Sequence, residues 1–542
     1  MRDDSQPVFR VRGWIDTEDF KRLLRIADYL GRDRGYSVFK LSKNKILASG
    51  RSADEILEIL DDVGAEYGAR IEEFLEDMLG KGLGNATISF DGSKLYIRFD
   101  RYLGDLYSGN LRNLIRYDHK SKMFCADPYV YHDLKEELSK LGFTITDLTG
   151  FKDDLRLGID LRFEGELRDY QEEAIEHWLK NRGRGVVALP TGSGKTVIGV
   201  ASITKVRQRT LVIAYTKEQL MQWRQAILRF TNAPEYIIGL YYSREKRIAP
   251  ITLATYQTAY KHVLNLLPHY NHLIIDEVHH LPAEKFKVIA SKMPAKYRMG
   301  LSATPYREDG KHVMLFPLMG GVIYYKTPQE LAEKGYLARY RIITIKVPLT
   351  QAEKRKYEEL RKAYRNVAGY ADFTSILEAA RKGDRRAMHA LRIHSEIRQL
   401  VQKSESKIRK VEEIIKDELS RGSKIIVFAH YVDLAKDIAE RVGGYLLTGE
   451  MDIKERKKVL EAFRNMRSGV LVVTTVGDEG LDIPDANVGI LIAGTGSRRQ
   501  FIQRLGRLLR PGKEEARLYE IVAKGTSEEY QSRRRKQTRI EM

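Results

Sequence analysis

Cysteine is almost absent from this 542-residue chain, in which Cys125 is the only one. A single thiol excludes disulfides within the chain and any zinc or iron–sulfur site built from cysteines. No apolar run approaches the roughly 18 residues that a membrane-spanning helix needs. Residues 1–5 also lack the apolar region of a signal peptide. We therefore expect a cytoplasmic protein with no membrane partner.

Acidic residues are outnumbered, with 74 aspartates and glutamates against 93 lysines and arginines and a net charge of +19. A large basic excess favours a polyanionic partner such as a nucleic acid, because each phosphate that is neutralised releases counterions. General solubility, or the charged surface typical of thermophile proteins, is the alternative explanation.

Short apolar strands alternate with helices in two stretches, 161–322 and 416–542. This alternation is typical of parallel sheets in α/β domains, so we expect an α/β fold with two such domains in tandem. The residues between them divide into a linker at 323–349 and an insert at 350–415 without strand patterns. Residues 351–410 hold 16 lysines and arginines against 8 aspartates and glutamates. The insert is therefore predicted to be helical and basic.

The first 160 residues carry different patterns. Residues 1–85 end in apolar residues at near-helical spacing, which predicts a partly helical segment. Residues 86–160 begin with two apolar runs that flank Asp91-Gly92-Ser93, a pattern that predicts a β-hairpin. A helical pattern follows near 131–141. We interpret 86–160 as a small α+β module.

A phosphate-binding loop is the clearest chemical motif. Residues 191–196 follow an apolar strand and precede a helix, and two glycines let backbone N–H groups face phosphates. We expect Lys195 to bridge the β- and γ-phosphates of ATP and Thr196 to hold Mg²⁺. The predicted ATP-binding residues of the loop are Thr191, Gly192, Ser193, Gly194, Lys195 and Thr196.

Two carboxylates follow the apolar strand 272–275. Asp276 is expected to reach Mg²⁺, and Glu277 is the candidate base for the attacking water. Ordinary carboxylates at a strand end are the alternative. We interpret the neighbouring His279 as a polar contact between the nucleotide and nucleic-acid sites rather than as a metal ligand.

Residues outside these two motifs complete the predicted nucleotide site. Gln171 has the amide donor and acceptor needed to read an adenine edge, and Arg168 precedes it in the same segment. In the second α/β stretch, Asp482 is placed to bind ribose, and Thr474 to contact phosphate.

A glutamine and two arginines near the C-terminus belong to the predicted catalytic set. Arg507 and Arg510 lie three apart on a predicted helix and point to one side. Such a pair can reach across a cleft between domains as arginine fingers. Two arginines three positions apart are common in proteins. The pattern is specific here because Gln503 begins the sequence Gln-Arg-x-Gly-Arg, which contains the first of them.

With these motifs together, the chain resembles superfamily 2 helicases and, within them, the XPB family of DNA repair and transcription translocases. Arg307-Glu308-Asp309 matches that family's motif for engaging DNA at the strand-separation point. The basic insert is similar to its thumb, and 86–160 looks like its damage-recognition domain. The phosphate loop is similar to that of archaeal or bacterial members.

The resemblance implies two RecA-like domains, ATP and Mg²⁺ as cofactors, and 3′→5′ movement in DNA repair, by nucleotide excision, or in DNA opening. Its implied partners are DNA at junctions of single and double strands and a protein such as a nuclease. It also implies that Ser302 and Thr304 couple hydrolysis to movement. The implied DNA contacts are Thr255, Arg307, Glu308, Asp309 and Thr474.

Two other functions remain open from the sequence. One is an RNA helicase or a restriction-type DNA translocase subunit, which the strand preference of the ATPase would distinguish. The other is a DNA-binding scaffold with a decayed motor. The presence of Lys195, Asp276, Glu277, Arg507 and Arg510 argues against decay.

Overall fold

Four β-sheets organise the protein. The computed structural model describes residues 7–49, 51, 53–80, 84–103, 106–304, 310–369, 371–474, 486–492 and 515–537. Two of the sheets are parallel and belong to two consecutive α/β units, which confirms the predicted fold class. The other two sheets precede them in the chain.

The first sheet lies in an N-terminal unit whose elements span residues 8–80. Its elements are β1 (Val8–Arg12), α1 (Thr17–Leu24), β2 (Ala27–Asp33), β3 (Tyr36–Leu41), α2 (Lys43–Ser49), α3 (Ala53–Asp62), β4 (Ala65–Glu66) and α4 (Ala69–Gly80). The strands are antiparallel in the order β2-β3-β1-β4, the connectivity of a ferredoxin-like split βαβ unit. The sequence predicted a partly helical segment here and no sheet, because strands of five to seven residues give a weak pattern.

The second sheet belongs to the small α+β module. Its elements are β5 (Gly84–Phe90), β6 (Leu95–Phe99), α5 (Arg112–Leu114), β7 (Arg116–Asp118), β8 (Met123–Ala126), α6 (Tyr131–Lys140) and β9 (Phe143–Leu148). The predicted hairpin is present, since β5 and β6 pair antiparallel. Asp91 accepts hydrogen bonds from the backbone N–H groups of Ser93 and Lys94, both at 2.7 Å, and so fixes the turn.

The third sheet forms the first α/β unit, with seven parallel strands. Its strands are β10 (Arg184–Ala188), β11 (Thr210–Ala214), β12 (Ile238–Tyr241), β13 (Ile251–Thr255), β14 (His272–Asp276), β15 (Tyr297–Ser302) and β16 (Val322–Tyr325). Its helices are α7 (Asp169–Lys180), α8 (Lys195–Val206), α9 (Lys217–Phe230), α10 (Tyr256–Lys261), α11 (Val263–Leu266), α12 (Glu284–Lys292), α13 (Leu315–Met319) and α14 (Pro328–Glu333). The strand order is β12-β13-β11-β14-β15-β10-β16.

The strand order of this sheet determines where the predicted nucleotide site lies. Strands β14, β15 and β10 are neighbours, and their carboxyl ends lie at the same edge of the sheet. The residues that follow Ala188, Asp276 and Ser302 therefore meet there, which is where ligands bind in open α/β sheets.

The helical insert and the second α/β unit follow. Their elements are β17 (Tyr340–Val347), α15 (Gln351–Ala368), α16 (Phe373–Arg381), α17 (Arg385–Gln402), α18 (Glu405–Ser420), β18 (Lys424–Phe428), α19 (Val432–Val442), β19 (Tyr445–Leu447), α20 (Ile453–Asn465), β20 (Gly469–Val473), β21 (Val488–Leu491), β22 (Ala516–Ala523) and α21 (Ser527–Gln537). The sheet is parallel in the order β17-β22-β21-β18-β20-β19.

Two elements fall across the domain boundaries expected from the sequence. Strand β17 lies inside the predicted linker 323–349, but it pairs with β22 over its whole length. Helix α18 begins inside the predicted insert, but its apolar residues pack against the second parallel sheet. Helices α15, α16 and α17 therefore form the helical insert, and residues of α15 and α17 pack against Ala523 of β22.

Candidate nucleotide site

The phosphate loop connects β10 to α8. Gly192 and Gly194 have φ angles of +85° and +77°, in the left-handed region that favours glycine. A Cβ atom on Gly194 would lie 2.6 Å from Nε2 of Gln171, so a side chain there would collide with its neighbour. The glycines therefore provide the backbone conformation, and the empty space, that a phosphate-binding loop requires.

Lys195 is held inside this loop. Its ammonium group donates to the carbonyl oxygens of Leu189, at 3.0 Å, and Pro190, at 3.2 Å. Burial lowers the pKa of Lys195, and the negative charges of Glu277 and Asp276 oppose that shift. A partly buried cation that faces two carboxylates suits a ligand with phosphates and a divalent cation.

Gln171 braces the loop from the other side. Its Nε2 donates to the carbonyl oxygen of Ser193 at 3.0 Å, and its Oε1 accepts from the backbone N–H of Arg168 at 3.0 Å. The hydroxyl of Tyr170 donates to the same Ser193 carbonyl at 2.7 Å. Arg168 contacts Tyr170 and the carbonyl oxygen of Tyr336, at 3.2 and 3.3 Å. That Gln171 reads adenine stays a prediction.

Asp276 is fixed at the end of β14 by two donors. Nε1 of Trp223 donates to its Oδ2 at 2.9 Å, and the backbone N–H of Glu277 donates to its Oδ1 at 2.9 Å. Burial and the charge of Glu277 raise the pKa of Asp276, against the Trp223 hydrogen bond and the charge of Lys195. A cation beside Asp276 would stabilise the ionised carboxylate and so oppose this rise in its pKa.

Glu277 sits in a strained backbone conformation. Its φ is +47°, a left-handed value that is uncommon outside glycine. The hydroxyl of Tyr256 bridges the carbonyl oxygens of Asp276 and Glu277, at 3.0 and 3.2 Å. Burial favours the neutral carboxyl, but His279, Lys195 and His280 outweigh it and lower the pKa of Glu277. Glu277 is therefore ionised, as a general base must be.

His279 connects Glu277 to the next strand end. Its Nδ1 lies 3.2 Å from Oε2 of Glu277 and 3.0 Å from Oγ of Ser302. The backbone N–H of Thr304 donates to the same Ser302 oxygen at 3.2 Å. The His279 imidazole therefore connects the candidate base to Ser302, and Ser302 contacts Thr304. This connection is what the coupling role expected of the two residues requires.

The other predicted residues are placed less directly. Thr255 is buried, and its hydroxyl donates to Oγ1 of Thr258 at 2.9 Å. Thr474 is also buried at the end of β20, so a DNA contact by either hydroxyl stays a prediction. The following predicted residues lie outside the described part of the chain: Arg307, Glu308, Asp309, Asp482, Gln503, Arg507 and Arg510.

Three aromatic neighbours of the site were not predicted. Trp223 lies on α9, 53 positions from its partner Asp276, and Tyr256 begins α10. Tyr215 stacks on His280, with ring centroids 4.5 Å apart and an angle of 18° between the planes. No short sequence pattern predicts that these three residues lie at the site. The one hint in the sequence was that Tyr256 directly follows Thr255, which was itself a predicted site residue.

Metal-binding clusters and membrane helices were also sought. The described residues contain no group of three or more histidines, cysteines and carboxylates that could hold a metal ion. Mg²⁺ commonly takes one or two protein ligands and completes its shell with phosphate oxygens and water. Thr196, in the first turn of α8, and Asp276, at the end of β14, are the two residues predicted to hold it, and that role stays a prediction. Among the helices that the structure describes, none combines the length and apolarity needed to cross a bilayer.

Comparison with known proteins gives matches along most of the chain. The family model for the ERCC3/RAD25/XPB C-terminal helicase matches residues 389–542, and the model for the type III restriction enzyme res subunit matches 164–307. DNA 3′-5′ translocase XPB2 of Sulfurisphaera tokodaii is 35% identical and spans 82% of this chain and 100% of its own. DNA 3′-5′ helicase XPB of Kineococcus radiotolerans is 34% identical over 73% of this chain and 67% of its own.

A eukaryotic relative covers nearly all of the chain at lower identity. The general transcription and DNA repair factor IIH helicase/translocase subunit XPB of Encephalitozoon cuniculi is 26% identical, over 99% of this chain and 82% of its own.

Proposed function

The chain belongs to the XPB family of DNA helicases, and we propose that it is an ATP-driven motor that moves 3′→5′ along DNA and opens the duplex. The observation that carries this proposal is the convergence of Lys195, Asp276 and Glu277 at one sheet edge. His279 extends the group from Glu277 to Ser302. Such a group can hydrolyse a nucleotide and transmit the event to a neighbouring segment.

Each residue has a distinct role in this proposal. Lys195 and the backbone of 191–196 bind the phosphates, while Thr196 and Asp276 hold Mg²⁺, which supplies charge neutralisation at the phosphates. Glu277 accepts the proton of the attacking water. Arg168 and Gln171 bind the base.

The second α/β unit completes the site in the same proposal. Arg507 and Arg510, with Gln503, stabilise the charge that develops during phosphoryl transfer, and Asp482 binds ribose. DNA contacts come from Thr255, Thr474 and the tripeptide 307–309.

The proposed cellular role follows from the relatives. We propose that the protein acts in DNA repair or DNA opening in a prokaryotic cytoplasm, on junctions of single- and double-stranded DNA. Its protein partner is proposed to be a nuclease, which would cut the strand that the motor exposes.

A restriction-type translocase is the second candidate, because a restriction-enzyme family model matches 164–307. Such a motor moves along duplex DNA and needs no strand separation. Strand displacement on a fork therefore distinguishes it from the first proposal.

ATP hydrolysis and strand displacement measured on the same preparation test the proposal. Hydrolysis should rise with single-stranded or forked DNA and not with RNA, and a duplex with a 3′ overhang should be opened in preference to one with a 5′ overhang. The matched control is Glu277→Gln, which should lower kcat by roughly 10²–10⁴ while ATP still binds. Unchanged turnover of that variant would refute the assigned site.

A further inference from the structure

One end of the N-terminal sheet carries arginines and aromatic side chains that the nucleotide site does not use. The helices of this unit pack on one face of the sheet, where Phe9, Val11, Phe39 and Leu41 are buried. Among the described residues of this unit, no helix lies on the opposite face of the central strands β1 and β3. Arg10 and Arg12 project there and are exposed, with Tyr36 beside them and partly exposed.

The strand register brings these side chains together. Arg12 is directly opposite Tyr36, and Arg10 is opposite Val38, so all four lie on one face. Within the described residues, neither Arg10 nor Arg12 has a carboxylate in ion-pair distance. Two acids share this face: Glu66 is directly opposite Arg10 and accepts a hydrogen bond from the Tyr36 hydroxyl at 3.3 Å, and Asp33 is directly opposite Tyr36 on β2.

Trp14 stands at the same end of the sheet and is 85% exposed. Gly13 precedes it, and the backbone N–H of Gly13 donates to the carbonyl oxygen of Gly35 in the β2–β3 turn at 3.1 Å. The guanidinium of Arg32 lies over the Trp14 ring, 5.4 Å from its centroid. Exposed tryptophans are uncommon, and this one lies at the end of the sheet where Arg34 is also exposed. Its neighbour Arg32 is opposite Ser37 and so belongs to the other face of the sheet from Arg12, which makes the site one that spans this end of the sheet.

From this arrangement we propose that Trp14, Tyr36 and the arginines around them bind single-stranded DNA, as a site separate from the motor. Aromatic rings stack on bases of any sequence, and arginines neutralise the phosphates between them. Open four-stranded sheets bind single-stranded nucleic acid in this way in RNA-recognition domains. The proposal rests on the motor acting on DNA, because strand separation would supply the single strand.

Tryptophan fluorescence tests the proposal on the full chain without nucleotide. The chain has three tryptophans, and Trp178 and Trp223 are buried, so quenching by added solute reports mainly on Trp14. We expect a 15-nucleotide oligo(dT) to quench the emission, and Trp14→Phe to abolish most of the change while the protein stays folded by circular dichroism.

The charge requirement is tested by a matched pair of double variants. Arg10→Gln with Arg12→Gln should shift the quenching midpoint to higher DNA concentration and lower the salt slope by about 1.4, because two phosphates are no longer neutralised. Arg25→Gln with Arg70→Gln changes the charge equally on exposed residues, one directly after α1 and one in α4, and should leave both quantities unchanged.

Several results would overturn the proposal. They are no quenching by oligo(dT), equal shifts in the two double variants, or a preference for duplex DNA or oligo(U). Binding of a partner protein in place of DNA would also overturn it. Because the assay contains no ATP, a normal ATPase rate in Glu277→Gln would refute the proposed motor site without affecting this result.

Discussion

The hydroxyl of Tyr256 lies 3.2 Å from the carbonyl oxygen of Glu277 and bridges it to the carbonyl of Asp276. A left-handed residue other than glycine costs roughly 1–3 kcal/mol and persists only where its surroundings hold it. Tyr256 is fully buried, and its ring packs against Tyr215, His280 and Phe286, so this packing holds its hydroxyl in place. The hydroxyl therefore holds the backbone conformation that positions the Glu277 side chain.

Removing this hydroxyl should slow hydrolysis and spare binding. We expect Tyr256→Phe to lower kcat by roughly 10- to 100-fold, because a small displacement of a catalytic group is costly, and to leave the KM for ATP near the wild-type value. Tyr270→Phe is the matched control: this buried tyrosine of the same unit donates to Thr252 at 2.5 Å, remote from Asp276. Equal kinetics for the two variants would contradict the positioning role.

Arg507 and Arg510 should be needed for hydrolysis although they are some 300 positions from Lys195. Each substitution by alanine is expected to lower the ATPase rate on the order of 10³-fold, as arginine fingers do in related enzymes. ATP binding should persist, because the phosphate loop is unchanged. Normal hydrolysis by both variants would show that the second α/β unit does not share the site.

The sequence predicted the parts of the site that depend on local patterns. The phosphate loop and Asp276-Glu277 each follow a short apolar strand, and strand order alone brings them together. Trp223 and Tyr256 were missed because their partners are 53 and 20 or 21 positions away, and a contact at that separation leaves no periodicity.

The N-terminal sheet was missed for a different reason. Strand β1 has only five residues, and β4 has two, so neither gives a long alternation of apolar and polar residues. Helices α3 and α4 give the stronger pattern, and the prediction for 1–85 followed it. Strand β17 was assigned to a linker because helices follow it and its partner β22 lies 176 positions later in the chain, so no local strand–helix alternation marks it.

The turn between α16 and α17 should contact the DNA backbone. Arg381, Lys382, Arg385 and Arg386 are all exposed there, within six consecutive residues. Changing the four to glutamine should weaken duplex binding and lower the salt slope by up to about 3.6, at about 0.9 for each phosphate that is no longer neutralised. The ATPase rate without DNA should stay unchanged. An unaltered salt slope would show that this turn is only a solvated surface.

Acid should destabilise the first α/β unit through His272. Burial lowers its pKa to about 3, against an unfolded value near 6.5. The unfolded state therefore binds more protons between these values, and the stability present above pH 6.5 is lost as the pH falls toward 3. The expected loss approaches about 1.4 kcal/mol per pH unit.

Denaturant titrations between pH 7 and pH 4 measure this dependence. Trp178 is a local probe, because its ring centroid lies 5.5 Å from that of His272. His272→Gln cannot gain a proton, so its free energy of unfolding should depend less on pH than that of the wild type. Equal slopes would assign the acid sensitivity to other groups.

The tripeptide 307–309 should serve strand separation and not hydrolysis. It follows Ser302 and Thr304 closely in the chain, and these residues contact Glu277 through His279. We expect a segment in that position to receive the effect of hydrolysis, and none of its three residues is assigned to phosphate, Mg²⁺ or the attacking water.

Replacing Arg307, Glu308 and Asp309 with alanine should therefore slow unwinding of a forked duplex by about tenfold, a change of roughly 1.4 kcal/mol in the barrier. DNA-stimulated hydrolysis should survive, because every residue assigned to phosphate and water is unchanged. Arg244-Glu245-Lys246 changed to alanine is the matched control, since it removes three consecutive charges beside the edge strand β12. Equal loss of unwinding and hydrolysis would instead indicate a defect in folding or coupling. If neither activity changes, the three charges are surface residues, and the strand-separating element lies elsewhere.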